Sequence, residues 1–143
     1  MTPMKSIASI AIVLLFSSYK TKPSSLSSSL PHWSPALTEP IVLVEELLQN
    51  SQAQQDMNYF STNLATLYDA QLWSVFQARL EKLEGEARSQ YLEQQRVWLK
   101  MREKATKEAY EDYDGGSGAP LAAADASIEM TKKRIAEFVG EAP

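Results

Sequence analysis

Few residues in this chain could do chemistry, and their placement argues against most of it. The one histidine, His32, sits in the Ser/Pro-rich stretch "SSLSSSLPHWSP", where no scaffold would hold a histidine base. There are no cysteines, which removes disulfides, thiolate metal sites and cysteine nucleophiles together. Glu45-Glu46 and Glu81/Glu84 could serve as acid–base pairs or metal ligands, but carboxylates at helical spacing usually make a solvated face with Glu–Lys pairs. A di-iron bundle needs Glu-x-x-His, and no histidine follows residue 32. Gly115-Gly116-Ser117-Gly118 looks like a phosphate loop only in composition. No strand precedes it, no Gly-Lys-Ser/Thr ends it, and Glu111, Asp112 and Asp114 would repel phosphate. The expectation is a binding protein and not an enzyme, with no metal and no cofactor.

A second set of polar residues lies on or beside apolar helix faces. Asp69 falls between Tyr68 and Leu72, Arg102 one turn after Trp98, and Arg134 beside Ile135 and one turn before Phe138. An Asp–Arg ion pair that fixes helix register is the simplest use for them, with Arg102 pairing Asp69 or a helix end. Removing one member of a buried pair costs about 3–5 kcal/mol, because the other charge is stranded. A ligand or partner site at the end of the helices is the competing use.

The elements that must position these residues are helices. From Glu39 onward the apolar residues recur at helical spacing, and no alternating strand pattern or internal repeat is present. Pro40 suits a first helical turn, and Ile41 to Gln49 makes a short apolar helix. Ser51-Gln-Ala-Gln54 matches a capping box for a long helix over about 52–84. Its stripe is Met57, Phe60, Leu64, Leu67, Leu72, Phe76, Leu80 and Leu83, and Gly85 is its natural stop. A second long helix over about 86–112 carries Tyr91, Gln94, Trp98, Met101, Ala105 and Ala109 as its stripe. The glycines at 115, 116 and 118 break the chain. Pro120 opens a last helix to about Val139, striped by Leu121, Ala124, Ile128, Thr131, Ile135 and Phe138. Stripes of this kind must bury one another. The expected fold is all-α: a small antiparallel helical bundle of three main helices plus a short N-terminal helix.

The region before the helices has a different character. Lys5 followed by "SIASIAIVLLFSS" has the order of an export signal, too short to span a bilayer comfortably as a mature helix. No A-x-A site follows, and Tyr19 stands where a lipidated cysteine would be. The chain therefore divides into a signal-peptide-like segment over 1–19, a Ser/Pro-rich linker over 20–38 that holds His32 and Trp33, and a helical domain over 39–143. Export implies a periplasmic or cell-envelope location, and contact with a membrane only through the N-terminal segment if it is not cleaved. An exported fold without cysteine is held by packing alone.

Charge narrows the partners. Lys5, Lys20 and Lys22 precede Glu39 and no acid does, so the rest of the chain carries 11 basic groups against all 18 acidic ones, a balance of −7. Nucleic acid needs clustered Lys and Arg and is a poor partner for such a domain. A basic protein suits it better.

Four pieces in order carry a family resemblance: Met57-Asn58 with Asp69-x-x-Leu72; Gln95-x-x-Trp98-Leu99-x-x-Arg102; Gly115-Gly116-Ser117; and Thr131-x-x-Arg134. Together they resemble the lysozyme inhibitor LprI-like domain, a small helical domain of bacterial envelopes, over about residues 50–139. The resemblance implies an exported or lipid-anchored protein that binds a lysozyme. It makes Asp69, Leu72, Gln95, Trp98, Arg102, Thr131 and Arg134 a structural key, with Trp98 on the core stripe. It also implies cysteines beside these motifs, where this chain has Phe60, Thr106 and Ala126. If Phe60 and Thr106 replace a bridged pair, the two long helices should touch there. Losing such a cross-link removes about 2–4 kcal/mol, partly offset by the aromatic area of Phe60.

The partner-facing surface is expected elsewhere, at Tyr110, Asp112, Tyr113, Asp114, Gly116 and Ser117, where acids, tyrosines and a glycine loop coincide. Two functions then compete. One is an exported binding protein that blocks a basic lysozyme or similar muramidase by occlusion. The other is a structural or accessory envelope protein that binds another envelope protein or itself. The oligomeric state is open at this point.

Overall fold

The computed structural model describes residues 36–140, and over these the chain is all-helical. The four helices are α1 (Thr38–Asn50), α2 (Gln54–Leu80), α3 (Gly85–Glu111) and α4 (Ala119–Gly140). The signal-like segment, and the linker as far as residue 35 with His32 and Trp33, lie outside the described residues. The linker expectation ran to residue 38, but Thr38 already begins α1 and Leu37 already packs on the core. No described helix is long and apolar enough to cross a membrane.

Helix α4 organises the packing. It lies along both α2 and α3, α1 lies along α2, and direct contact between α2 and α3 is narrow. One core cluster joins Leu72, Phe76 and Leu80 of α2 to Tyr91 of α3 and Phe138 of α4. Phe76 and Tyr91 stack at 4.9 Å between ring centroids, and Phe138 packs 5.3 Å from Tyr91. The second cluster joins Ile41 of α1 to Leu64 and Tyr68 of α2 and Ile128 of α4.

Several local expectations are corrected. The capping box at Ser51 is not made. Ala53 precedes the first turn of α2 with no side-chain cap, while the Ser51 hydroxyl donates to the Leu47 carbonyl at 2.7 Å. Ser51 therefore ends α1, a competing local use for a short hydroxyl side chain. Helix α2 stops at Leu80, not near 84, and the Leu80 carbonyl accepts from the Leu83 N–H at 3.2 Å and from the Arg88 guanidinium at 2.6 Å. Gly85 does not end α2; it opens α3 with φ of +54°, which turns the chain after Glu81–Glu84.

Two stripes run through different residues than their apolar pattern implies. On α2 the buried line passes through Ser61 and Tyr68, with Leu67 at its edge. On α3 it passes through Tyr91 and Gln95, while Gln94 and Met101 face solvent. The buried line on α4 includes Ala124, Ile128, Thr131 and Phe138, all members of the expected stripe. Phe60 packs edge-on against Tyr59, and the Thr106 hydroxyl donates to the Arg102 carbonyl of its own helix.

Candidate functional site

Two polar constructions and one exposed turn stand out. In the first, Arg102 reaches from α3 to both neighbouring helices. Its Nη1 donates to Asp69 Oδ1 on α2 at 2.6 Å and to Thr131 Oγ1 on α4 at 3.1 Å. Thr131 passes the network on, donating to the Ser127 carbonyl at 2.7 Å. Arg134 of α4 donates through Nε to Gln95 Oε1 at 3.3 Å and pairs with Glu137. Both guanidinium carbons lie over the Trp98 ring, at 4.9 Å for Arg102 and 5.8 Å for Arg134, within cation–π range. Arg134 also covers Phe138 at 4.4 Å.

Six of the seven expected key residues thus meet in one network, and Leu72 lies in the core cluster beneath it. Trp98 is half-buried against that cluster. The ion pair is lopsided: the Arg102 side chain is 17% exposed, the Asp69 side chain 56%. Arg102 must be compensated where it sits, whereas Asp69 can be rehydrated in place. A stranded charge is therefore costly when it is Arg102 that loses its acceptor, and cheap when it is Asp69 that loses its donor.

The second construction holds α1, and the apolar pattern gives no sign of it. Tyr68 donates its hydroxyl to Glu45 Oε1 at 2.8 Å, and Lys132 of α4 reaches the same oxygen at 3.1 Å. The Lys132 ammonium also lies 4.9 Å from the Tyr68 ring centroid. The Tyr68 hydrogen bond, helped by Lys132, holds the Glu45 carboxyl below its usual range against the opposing effect of burial. Burial, then the Glu45 contact, pushes the Tyr68 hydroxyl up. Burial alone would pull Lys132 down, but its contacts with Glu45 and Tyr68 outweigh this and leave it raised.

The turn between α3 and α4 carries the residues expected to face a partner. Tyr110, Asp112, Tyr113, Asp114, Gly116 and Ser117 are all exposed there, Tyr113 by 57%. It is a hydrogen-bonded turn, not a loose loop. Gly116 N–H donates to the Tyr113 carbonyl at 2.8 Å, and Ala119 N–H to the Gly116 carbonyl at 2.9 Å. Asp114 and Gly115 both take the left-handed conformation, with φ of 48° and 69°. Asn58 of α2 donates to the Ser117 carbonyl at 2.9 Å, so the start of α2 lies beside the turn. Among the described residues no group of three or more His, Asp or Glu side chains is placed to hold a metal.

Residues 47–138 match the family described as "Lysozyme inhibitor LprI". The chain belongs to the LprI family. No curated protein and no solved structure matches it. The LprI match covers all of α2 and α3 and nearly all of α4, but only the last turn of α1. Most of α1 and its Glu45 anchor therefore precede the matched region.

Proposed function

We propose that this LprI-family protein is an exported envelope protein that binds a basic lysozyme or similar muramidase and blocks it by occlusion, with no chemistry of its own. The observation that carries this reading is the family match, which spans α2, α3 and nearly all of α4. The acidic balance from Glu39 onward favours a basic partner. The exposed Tyr110–Ser117 turn offers aromatic area beside carboxylates, held in shape by its own hydrogen bonds and by Asn58. Preordered tyrosines cost little entropy on binding.

The scaffold in this reading is an antiparallel bundle. Contacts between α2 and α3 pair Asp69 with Arg102 and Phe76 with Tyr91, numbers that rise on one helix as they fall on the other. The same holds for α3 and α4, through Gln95–Arg134 and Tyr91–Phe138.

The test is lysozyme activity on cell walls with the purified chain added, at low and high salt. The reading expects inhibition at stoichiometric ratio that weakens as salt rises. Full activity of every lysozyme type at excess inhibitor would contradict it. One observation favours a second reading, an accessory envelope protein that binds itself: α1 exposes Val42, Leu43 and Leu47 together. That reading expects no inhibition and a concentration-dependent dimer in sedimentation.

A further inference from the structure

A small cleft opens between α2 and α3. Asp69, Leu72, Trp73, Phe76, Gln95, Leu99 and Arg102 enclose about 220 Å³. That is below the roughly 300–1,000 Å³ of sites for drug-sized ligands, so the cleft admits one small ring or one side chain.

Its polar atoms are specific. Gln95 is only 8% exposed, yet it lines the cleft. Arginine can only donate, so the Arg134 contact fixes Gln95 with its oxygen toward α4. The Gln95 amide NH₂ points away from that contact and is open to a ligand hydroxyl or carbonyl as it is to water. Asp69 uses Oδ1 on Arg102 and keeps its second oxygen to accept from a ligand. Those two charges cancel, so the floor of the cleft attracts neither cation nor anion strongly. Trp73, itself 61% exposed, completes the lining, with its ring 6.1 Å from Phe76.

The geometry points to a neutral sugar ring as the ligand of this cleft. A pyranose carries an apolar C–H face for the Trp73 indole, and equatorial hydroxyls that both donate and accept. One hydroxyl donates to the free Asp69 oxygen and another oxygen accepts from the Gln95 amide. An anion would have to break the Asp69–Arg102 pair to gain a partner, and a cation would meet only a carboxylate already neutralised by Arg102. The cleft is separate from the Tyr110–Ser117 turn, and the inhibitor reading stands or falls without it.

The test is a titration of the full chain with neutral trisaccharides, chitotriose and cellotriose, followed by calorimetry and by the NMR signal of the Trp73 indole N–H. A saturable shift of that signal is expected with at least one of them. Trp73→Ala should weaken binding about tenfold or more, the scale of losing one aromatic stack. Trp73→Phe, which keeps a ring face, should retain most of the affinity. Trp73 is exposed, so both variants should keep the wild-type melting curve. No saturable shift with either sugar, or binding untouched by Trp73→Ala, would overturn the assignment. So would a cleft that responds to a lysine hexapeptide and not to the sugars, which would make it a protein-binding site.

Discussion

The two halves of α3 behave differently. From Gly85 to Gln95 the helix buries Tyr91 and Gln95, stacks on Phe76 and receives Arg134. From Trp98 to Glu111 it buries no residue completely, and it ends in the exposed tyrosines and acids of the turn. Arg102 stands at the border, fixed to α2 and α4 by Asp69 and Thr131. The difference separates a packed half from a solvent-facing one, and the proposed function places recognition on the second. Tyr91 and Gln95 tie α3 to its neighbours at the closed half, and Trp98 and Arg102 do so at the border. The open half leaves aromatic and carboxylate groups exposed to solvent.

The largest expected break in this comparison is Phe76→Ala. Phe76 is 5% exposed among three aromatic neighbours, and truncating it should cost about 3–5 kcal/mol in urea denaturation. A cost near that of a surface substitution would refute the closed-half assignment. Next is the lopsided ion pair. Arg102→Met should cost about 2 kcal/mol, because contacts to Asp69 and Thr131 go together. Asp69→Asn should cost less than about 1 kcal/mol, because the asparagine keeps an oxygen that can still accept from Arg102. Equal costs measured by thermal melting would mean that Asp69 is as essential as its partner.

A smaller effect concerns α1. The Glu45 carboxyl is held low, chiefly by Tyr68, so its contribution is complete above the unfolded carboxylate range. It fades as pH falls through the depressed folded value. Tyr68 and Lys132 are both raised, so their contributions are complete below their unfolded values and fade as pH rises through the folded ones. Amide exchange in α1 should therefore accelerate at the acid end in the wild type, while Glu45→Gln should show no acid-side acceleration. An α1 whose exchange follows the same pH course in both would sever it from this anchor. The smallest effect belongs to the turn. Tyr113→Ala, Asp112→Asn and Asp114→Asn should each leave stability within about 0.5 kcal/mol in the same denaturation experiment.

The helices are legible from spacing, because their apolar residues repeat with the helical period and the glycines at 115, 116 and 118 mark the one long break. Their rotation is less so. The inward line of α3 takes Gln95 and Arg102 in place of the neighbouring Gln94 and Met101. Polar atoms become admissible inside once Arg134, Asp69 and Thr131 satisfy them, and those partners are distant in sequence. Gly85 misleads for a related reason: positive φ serves the start of α3 as well as the end of α2. The turn residues are recognisable as exposed from their composition alone. The cleft beside Trp73 is not, because it depends on how far apart α2 and α3 stand, which no local pattern encodes.

The central claim is that the turn recognises and the closed half supports. Its most direct test is a calorimetric titration of a basic lysozyme with the wild type and with the combined variant Tyr113→Ala, Asp112→Asn, Asp114→Asn. The account predicts one-to-one binding by the wild type and about tenfold or greater weakening in the variant, with unchanged melting of both proteins. Equal affinities would contradict it and move the recognition surface away from the turn.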